Sequence, residues 1–372
     1  MDTVQLAVEL TRQFIQIPSE SSDPILTDSS APEASMEKQL LDFAGKVGLP
    51  AFSLPVTANR NNVIIEWKGN GPRVLVAGHM DTVSARGMDA PFAAEHDNYR
   101  IKGRGACDDK GPLACALSVL SWMKAENLEP AFDLTFAATV DEECTLAGAE
   151  KLADWINSFD LCVALEPTEL RVVCAHKGDL RLSIRTTGRE AHSSAPERGI
   201  NAIDKMLPVI EALQRFRKKL TGLPTHPLCG NSTLSFTSLH AGSSSNIIPG
   251  DCALTVDVRL QPEVDPEQIY QELCRVLPDE VIVDRLFAGS GMESDFSNPL
   301  IQKLSAIIRD SGVEPGPDGA AYATDCSRLA TRGPCVVWGP GSISQAHKRD
   351  EFIEIKQMAI AVAILKKFFC AQ

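Results

Sequence analysis

The feature that most constrains the fold of this chain is an alternation of short apolar runs with amphipathic ones between residues 60 and 170. Runs rich in β-branched and apolar residues predict four strands, at residues 62–67, 74–77, 134–140 and 161–165. Two longer runs between them predict helices, at residues 113–124 and 147–156. This alternation is typical of an α/β domain with a mixed, largely parallel sheet flanked by helices. The functional crevice of such a domain lies at the carboxyl ends of its strands.

A different pattern after residue 178 predicts a second, smaller domain. Strands and helices follow in the β-α-β-β-α-β order of the ferredoxin-like arrangement, at residues 180–186, 201–220, 233–239, 252–260, 266–276 and 281–286. After residue 290 a helix, a strand and a long amphipathic helix can return to the first domain. We therefore predict an α/β catalytic domain in two parts, residues 1–178 and 290–372, with an α+β domain inserted at residues 179–289.

Charge, hydropathy and cysteine content exclude several classes of protein. Lys and Arg number 36 and Asp and Glu 49, and the resulting formal net charge of −13 argues against binding to nucleic acid. The longest apolar stretches, such as residues 358–365, are shorter than the ~18 residues that span a bilayer, so no membrane segment is expected. The 11 cysteines, an odd number without C-x-x-C spacing, argue against a disulfide framework. A reducing, cytoplasmic location is therefore expected.

Polar residues that can bind metal follow the predicted strands or precede a predicted helix. The set comprises His79, Asp81, Asp108, Glu142, Glu143, Glu166 and His347. Each residue alone has an ordinary explanation, since an acid at a strand end is usually a turn or cap residue and a single histidine is usually structural. Several anions that meet in one crevice, however, repel one another unless cations neutralise them. Together these residues therefore predict a metal site.

Two cations suit this set, because five protein ligands with one bridging carboxylate leave room for a shared water between ions about 3.5–4 Å apart. Mixed imidazole and carboxylate ligands favour Zn²⁺, with Co²⁺ or Mn²⁺ as substitutes. Of the adjacent pair Glu142 and Glu143, one can bind metal while the other accepts a proton from the water. Asp81 can accept a hydrogen bond from the second ring nitrogen of His79, or it can stabilise a turn instead.

Five ordered motifs carry a resemblance to a known family. They are residues 78–83 (GHMDTV), 103–105 (GRG) with 108–111 (DDKG), 141–143 (DEE), 166–168 (EPT), and 339–341 (GPG) with 346–347 (AH). With these motifs the chain resembles the co-catalytic zinc amidohydrolases, the family of acetylornithine deacetylase, succinyl-diaminopimelate desuccinylase, aminoacylase and glutamate carboxypeptidase. The resemblance extends over nearly the whole chain.

The resemblance implies a pair of zinc ions and a position for each ligand. His79 and Glu166 would hold one zinc, and Glu143 and His347 would hold the other. Asp108 would bridge the two ions. Two Zn²⁺ are therefore the expected cofactors.

The resemblance also implies which residues act on the substrate. Glu142 would be the general base that takes a proton from the attacking water and delivers it to the leaving amine. Asp81 would orient His79. The inserted domain resembles a dimerisation lid, in which His192 would reach the active site of the partner subunit and stabilise the oxyanion. The alternative for His192 is an ordinary histidine of a surface loop.

Three further residues are expected to bind substrate. Asn246 and Arg259 resemble lid residues that hold the substrate carboxylate, an anion that arginine can pair with through two parallel hydrogen bonds. Thr324 is expected to contribute from the segment 320–325. That segment departs from the glycine- and serine-rich loop expected of a succinyl-diaminopimelate enzyme.

The predicted activity is hydrolysis of a linear amide, which frees the amino group of an N-acyl amino acid, by a homodimer. Glu166, where several peptidases of the family carry Asp, favours the deacylases and the carboxypeptidase. The substrate stays open among acetylornithine, acetylcitrulline, acetyl-lysine and related compounds. The alternatives are a metallo-dipeptidase or carboxypeptidase with the same site, and a non-catalytic binding protein on the same fold. The sequence contains no H-E-x-x-H, G-x-S-x-G or G-x-x-x-x-G-K-[ST] motif of another hydrolase chemistry.

Overall fold

A computed structural model describes residues 2–21, 32–57 and 59–370. The strands found in these residues are β1 (Ala51–Thr57), β2 (Arg60–Trp67), β3 (Arg73–His79), β4 (Arg100–Lys102), β5 (Asp133–Thr139), β6 (Leu161–Ala164), β7 (Val173–His176), β8 (Gly178–Thr187), β9 (Ala191–His192), β10 (Thr233–Ala241), β11 (Ile247–Ile248), β12 (Asp251–Leu260), β13 (Ile282–Gly289), β14 (Met292–Glu293), β15 (Asp318–Ala320), β16 (Cys335–Val337) and β17 (Phe352–Glu354). The α-helices are α1 (Thr3–Ile15), α2 (Ala34–Val47), α3 (Lys110–Ala125), α4 (Ala147–Trp155), α5 (Ala202–Thr221), α6 (Pro266–Val276), α7 (Pro299–Asp310), α8 (Cys326–Leu329) and α9 (Ile355–Cys370).

These elements form two compact units. The larger comprises the described residues of Met1–Cys174, Glu293–Asp318 and Thr324–Gln372. Its main sheet contains strands in the order β1-β2-β5-β3-β6-β16. β3 pairs in parallel with β5 and β6, and β6 pairs in parallel with β16, whereas β2 is antiparallel to both β1 and β5. The predicted α/β class with a mixed, largely parallel sheet is therefore confirmed.

The burial of the central strand explains why its sequence is continuously apolar rather than alternating. Residues 74–79 of β3 are all buried, as expected for a parallel strand covered on both faces. The first half of α3 is equally buried, and this helix contacts β3, α1 and α9. Gly78 allows this close packing, because a Cβ atom there would lie 2.3 Å from Oδ2 of Asp109. The buried part of α3 therefore packs against β3 next to the carboxyl end of that strand.

The parallel pairing brings the carboxyl ends of four strands to one edge of the sheet. β3 ends at His79, β5 at Thr139, β6 at Ala164 and β16 at Val337. Whatever follows these strands must therefore emerge on the same side of the larger unit. Among the described residues no helix has both the length and the apolar character needed to cross a membrane.

The smaller unit comprises Ala175–Met292 and Gly319–Ala323. Its four-stranded antiparallel sheet has the order β10-β12-β8-β13, and α5 and α6 complete the β-α-β-β-α-β arrangement. Residues alternate between buried and partly exposed along β12, as in a sheet with one face on the core. The core includes Leu182, Val209 and Val256. The ferredoxin-like order predicted for this part of the chain is confirmed.

The limits of the smaller unit differ from the predicted 179–289. The unit begins at Ala175, ends at Met292, and also includes Gly319–Ala323, which the sequence pattern had assigned to the second part of the catalytic domain. The main-chain N–H of Lys177 donates to the carbonyl of Ala320, at 3.1 Å. Gly319 lies so close to Leu228 that a Cβ atom would be 2.4 Å from its carbonyl oxygen. These contacts hold the segment against the smaller unit.

Candidate metal centre

The predicted ligands lie at the strand ends of the larger unit. His79 is the last residue of β3, Glu142 and Glu143 follow β5, and Glu166 follows β6. Asp108 lies just before α3, and the loop after β16 leads to His347, whose φ of 63° places it in the left-handed region. The main-chain path therefore brings together residues that are up to 268 positions apart in the sequence.

Asp108 lies between the two histidines. Its Oδ1 is 2.9 Å from Nε2 of His79, and its Oδ2 is 3.4 Å from Nε2 of His347. Nε2 of His347 is also 3.1 Å from Oε2 of Glu143. One carboxylate therefore presents a different oxygen to each imidazole, which is the arrangement of a carboxylate that bridges two ions.

Two groups of side chains are close enough to hold a metal ion. The ligand atoms of His79, Glu142 and Glu166 all lie within 4.8 Å of one another, and so do those of His79, Asp108 and Glu143. Both groups mix imidazole nitrogen with carboxylate oxygen, a donor set that suits Zn²⁺ and related ions. The two groups share His79, and with His347 beside Asp108 and Glu143 the described residues offer enough donors for a centre with two metal ions.

Burial and mutual repulsion strongly affect the acids of this centre. Burial raises the pKa of Glu142 and of Glu166 well above the ordinary value, and neighbouring carboxylates raise both further. Burial acts in the same direction on Asp108, but hydrogen bonds from His347 and His79 outweigh it and lower the pKa. The hydrogen bonds that His347 donates to Asp108 and Glu143 raise its own pKa to about 10. Ionising all four acids together thus requires positive charge beside them, which divalent cations would supply.

Asp81 is fully buried and organises the turn that carries Glu142 and Glu143. Its Oδ1 accepts the main-chain N–H of Glu142 and its Oδ2 that of Glu143, both at 3.1 Å. The hydroxyl of Ser21 also donates to Oδ2, at 2.5 Å. The Nδ1–H of His79 donates to the main-chain oxygen of Asp81 at 2.9 Å, while the carboxylate is 3.6 Å away. The ring of His79 is therefore hydrogen-bonded to the main chain of Asp81, whose carboxylate is engaged with the turn, and the orienting role of Asp81 stays a prediction.

A network around Arg60 escaped the sequence analysis. The Arg60 guanidinium donates to Oδ1 of Asp141 at 2.7 Å and pairs through two nitrogens with Glu33. Asp141 has a φ of 67° and directly precedes the two glutamates. The network therefore holds a turn in the left-handed region at the point where the metal centre is built. Nothing local signals it, since Arg60 and Asp141 are 81 positions apart.

The other predicted site residues lie in the smaller unit, apart from Thr324. His192 ends β9 and pairs with Ile247 of β11. Asn246 therefore lies close to His192, and the main-chain carbonyl of Asn246 accepts the N–H of Ser193 at 2.9 Å. The side chain of His192 is exposed, and its Nδ1 accepts a hydrogen bond from the main-chain N–H of Ser194, at 3.1 Å. A neutral His192 therefore carries its proton on Nε2.

Arg259 and Thr324 have partners within the chain. Arg259 pairs with Asp257 through Nε and Nη2, at 2.9 and 3.0 Å, and Nη2 also lies 3.3 Å from Asp179. Thr324 is fully buried, and its hydroxyl oxygen accepts the N–H of Cys326 at the start of α8. Their roles toward a substrate stay predictions.

The chain is similar to known proteins over nearly its whole length. The sequence model of the family described as peptidase family M20/M25/M40 matches residues 75–371. An acetylornithine deacetylase from Photorhabdus laumondii subsp. laumondii is 31% identical over 365 residues, which cover 94% of this chain and 92% of that protein. The structure of a tripeptidase from Staphylococcus aureus superimposes with a TM-score of 0.77 at 22% identity, covering 98% and 97% of the two chains. A dinuclear metal-binding peptidase from Bacillus subtilis gives a TM-score of 0.70 at 16% identity, covering 99% and 98%.

Proposed function

The chain belongs to peptidase family M20/M25/M40, and from this premise we propose that it is a two-metal hydrolase that removes the acyl group from an N-acyl amino acid. The observation that carries the proposal is the position of Asp108, with one carboxylate oxygen toward each histidine. A carboxylate with one oxygen toward each imidazole supports a pair of metal ions, one on either side of it.

The proposed ligands divide between the two ions. His79 and Glu166 hold one ion, Glu143 and His347 hold the other, and Asp108 bridges them. The 4.8 Å grouping of His79 with Glu166 supports the first pair, and the 3.1 Å contact of His347 with Glu143 supports the second. Zn²⁺ is the ion proposed, since imidazole and carboxylate together suit it well, and Co²⁺ or Mn²⁺ can substitute.

Glu142 is the proposed general base. Two bound divalent cations would lower the pKa of water to about 7 and polarise the substrate carbonyl. Glu142 is held near His79 and Glu166 by the turn that Asp81 fixes, so its carboxylate lies within reach of the same space. It accepts a proton as the water oxygen bonds to the carbonyl carbon, and it gives that proton to the nitrogen as the C–N bond breaks.

An N-acyl amino acid is the proposed substrate class. Its support is the 31% identity to a protein named acetylornithine deacetylase over more than nine-tenths of both chains. In this proposal the smaller unit is the lid and dimerisation domain. His192 of one subunit donates its Nε2–H to the oxyanion in the other, and Asn246, Arg259 and Thr324 contact the substrate. The tautomer that Ser194 imposes on a neutral His192 suits that donation.

Amine release from a panel of amides tests the proposal. The panel contains N-acetyl-ornithine, N-acetyl-citrulline, N-acetyl-lysine, N-succinyl-diaminopimelate and simple dipeptides, each with Zn²⁺ or Co²⁺ and with chelator. Chelator-sensitive turnover of an acylated amino acid is expected. A preference for dipeptides would instead favour a peptidase with the same site. Two bound metals without turnover of any amide would refute the catalytic proposal.

A further inference from the structure

Glu351 is a buried acid that the proposed chemistry does not use. Its side chain has no solvent exposure, although it lies on the short connection between His347 and β17. Its Oε1 accepts the main-chain N–H groups of Cys107 and Asp108, at 2.9 and 3.2 Å. Its Oε2 accepts the N–H of Gly105, at 3.2 Å. One carboxylate thus accepts three main-chain N–H groups from a single loop.

The loop that receives these bonds is the one that carries the proposed bridging ligand. It turns sharply before α3, with Gly105 at a φ of 83°. A side chain at that position would collide with Lys110 and Thr82, with closest approaches of 2.8 and 2.9 Å. N–H groups just before a helix have no acceptor within the helix and need one elsewhere. Glu351 supplies that acceptor, and in doing so it fixes the main chain of Asp108.

Arg104 completes the arrangement. Its guanidinium pairs with Oε2 of Glu351 and donates to the carbonyl of Ser84 at 3.3 Å, and its side chain is only 4% exposed. A buried carboxylate is tolerated where a cation and hydrogen bonds compensate for its lost hydration. The ion pair therefore allows a charged acceptor, rather than a weaker neutral one, to lie under the loop.

We infer that Glu351 is a positioning residue for the metal centre, which sets the place of Asp108 relative to His347. Its carbonyl accepts the N–H of Gly103 at 3.1 Å, so both its main chain and its side chain bind the same loop. It follows His347 by four residues, so it joins the segments that carry two proposed ligands. The 3.4 Å separation of Asp108 Oδ2 from His347 Nε2 depends on that connection. This inference rests on the proposed function.

The test measures zinc binding to metal-free protein by competition with a chelating dye. Glu351→Gln retains the size of the side chain, but its amide NH₂ must face either the N–H groups of the loop or Arg104. We expect zinc affinity to fall about 10–100-fold, which is the usual effect of losing a residue that orients the metal ligands through hydrogen bonds. The matched control is Glu354→Gln, since Glu354 lies on β17, is 44% exposed and forms a long ion pair with the half-exposed Arg100, at 3.8 Å. That control should bind zinc as the unchanged protein does.

Two further measurements separate positioning from general destabilisation. The pair Arg104→Met with Glu351→Leu removes both charges together, so neither is left buried without its partner, although the three loop N–H groups lose their acceptor. If the metal-free double variant unfolds at the temperature of the unchanged protein yet binds zinc at least 10-fold more weakly, the inference stands. Unaltered zinc affinity in Glu351→Gln or in the folded double variant would overturn it. Failure of the unchanged protein to bind two zinc ions would instead overturn the proposed function.

Discussion

Replacement of Arg60 by Met should destabilise the larger unit because it leaves two carboxylates without their cation. The side chains of Glu33 and Asp141 are only 1% and 7% exposed, and that of Arg60 is 20% exposed. Removing one partner of a buried pair costs about 3–5 kcal/mol. Because Arg60 retains some contact with water, we take the lower end, about 3 kcal/mol. At roughly 2–4 °C per kcal/mol for a unit of about 250 residues, Tm should fall by about 6–12 °C.

The destabilisation should depend on pH, with a sign that follows from Glu33. Burial raises the pKa of Glu33, and the hydrogen bonds from Arg60 work against that rise. Without Arg60 the folded-state pKa rises further, so the folded protein binds a proton that the unfolded chain releases near pH 4.5. The stability that this proton supplies is present at low pH and lost as the pH rises through the folded pKa. The deficit of Arg60→Met should therefore be larger at pH 8 than at pH 5.

Thermal unfolding at pH 5 and pH 8 checks both statements. The control is Arg215→Met, because Arg215 is 73% exposed and lies 4.0 Å from an equally exposed Glu211, a pair worth little. Adding Glu33→Gln to Arg60→Met should recover part of the lost stability, since it removes one of the uncompensated charges. A Tm decrease no larger than that of the control, or one that is the same at both pH values, would refute the reasoning.

Three other predictions concern the proposed centre. Glu142→Gln should still bind two metal ions but lose about 10²–10⁴-fold in kcat, because the base and the ligands are separate residues. Metal analysis and kinetics check this. The control is Glu150→Gln, since the side chain of Glu150 is 67% exposed. His192→Ala should lower kcat while metal content stays at two ions, and unchanged turnover would contradict its role. Chelation should abolish turnover and lower Tm, since metal binds only the folded state, and added Zn²⁺ should restore both.

The sequence indicated the catalytic sheet well because its signal is local. A strand such as 74–78 is apolar at every position since both its faces are buried, and the polar residues that follow must leave the sheet at its carboxyl end. His79, Glu143 and Glu166 could therefore be found from strand ends alone. The edge strand β1 gave no such signal, because only one of its seven residues is buried.

The supporting residues could not be found in this way. Arg104 and Glu351 are 247 positions apart, and each alone looks like an ordinary surface charge in the sequence. Only the fold reveals that they pair under the loop of Asp108. The segment Gly319–Ala323 was assigned to the wrong unit for a similar reason, since the contacts that hold it come from Lys177 and Leu228.

The negative charge of the four acids in the proposed centre indicates how many metal ions are needed to balance it. Asp108, Glu142, Glu143 and Glu166 carry a formal charge of about −4 when ionised, which one divalent cation would only halve and two would cancel. Arg60 and Arg104 do not neutralise these acids, because Arg60 pairs with Glu33 and Asp141, and Arg104 pairs with Glu351. The imidazoles of His79 and His347 can offset the charge only when protonated, and they must lose that proton to bind metal.

Burial raises the pKa of Glu142 and Glu166 well above the ordinary value, and hydrogen bonds to Asp108 and Glu143 raise that of His347 to about 10, so cations must displace protons from this centre. Zinc binding should therefore release protons. Calorimetric titration of the metal-free protein with Zn²⁺ in buffers of different ionisation enthalpy counts them. We expect the release of at least one proton per protein by the second equivalent. A titration that ends at one equivalent, or that releases none, would contradict a two-ion centre built from these acids.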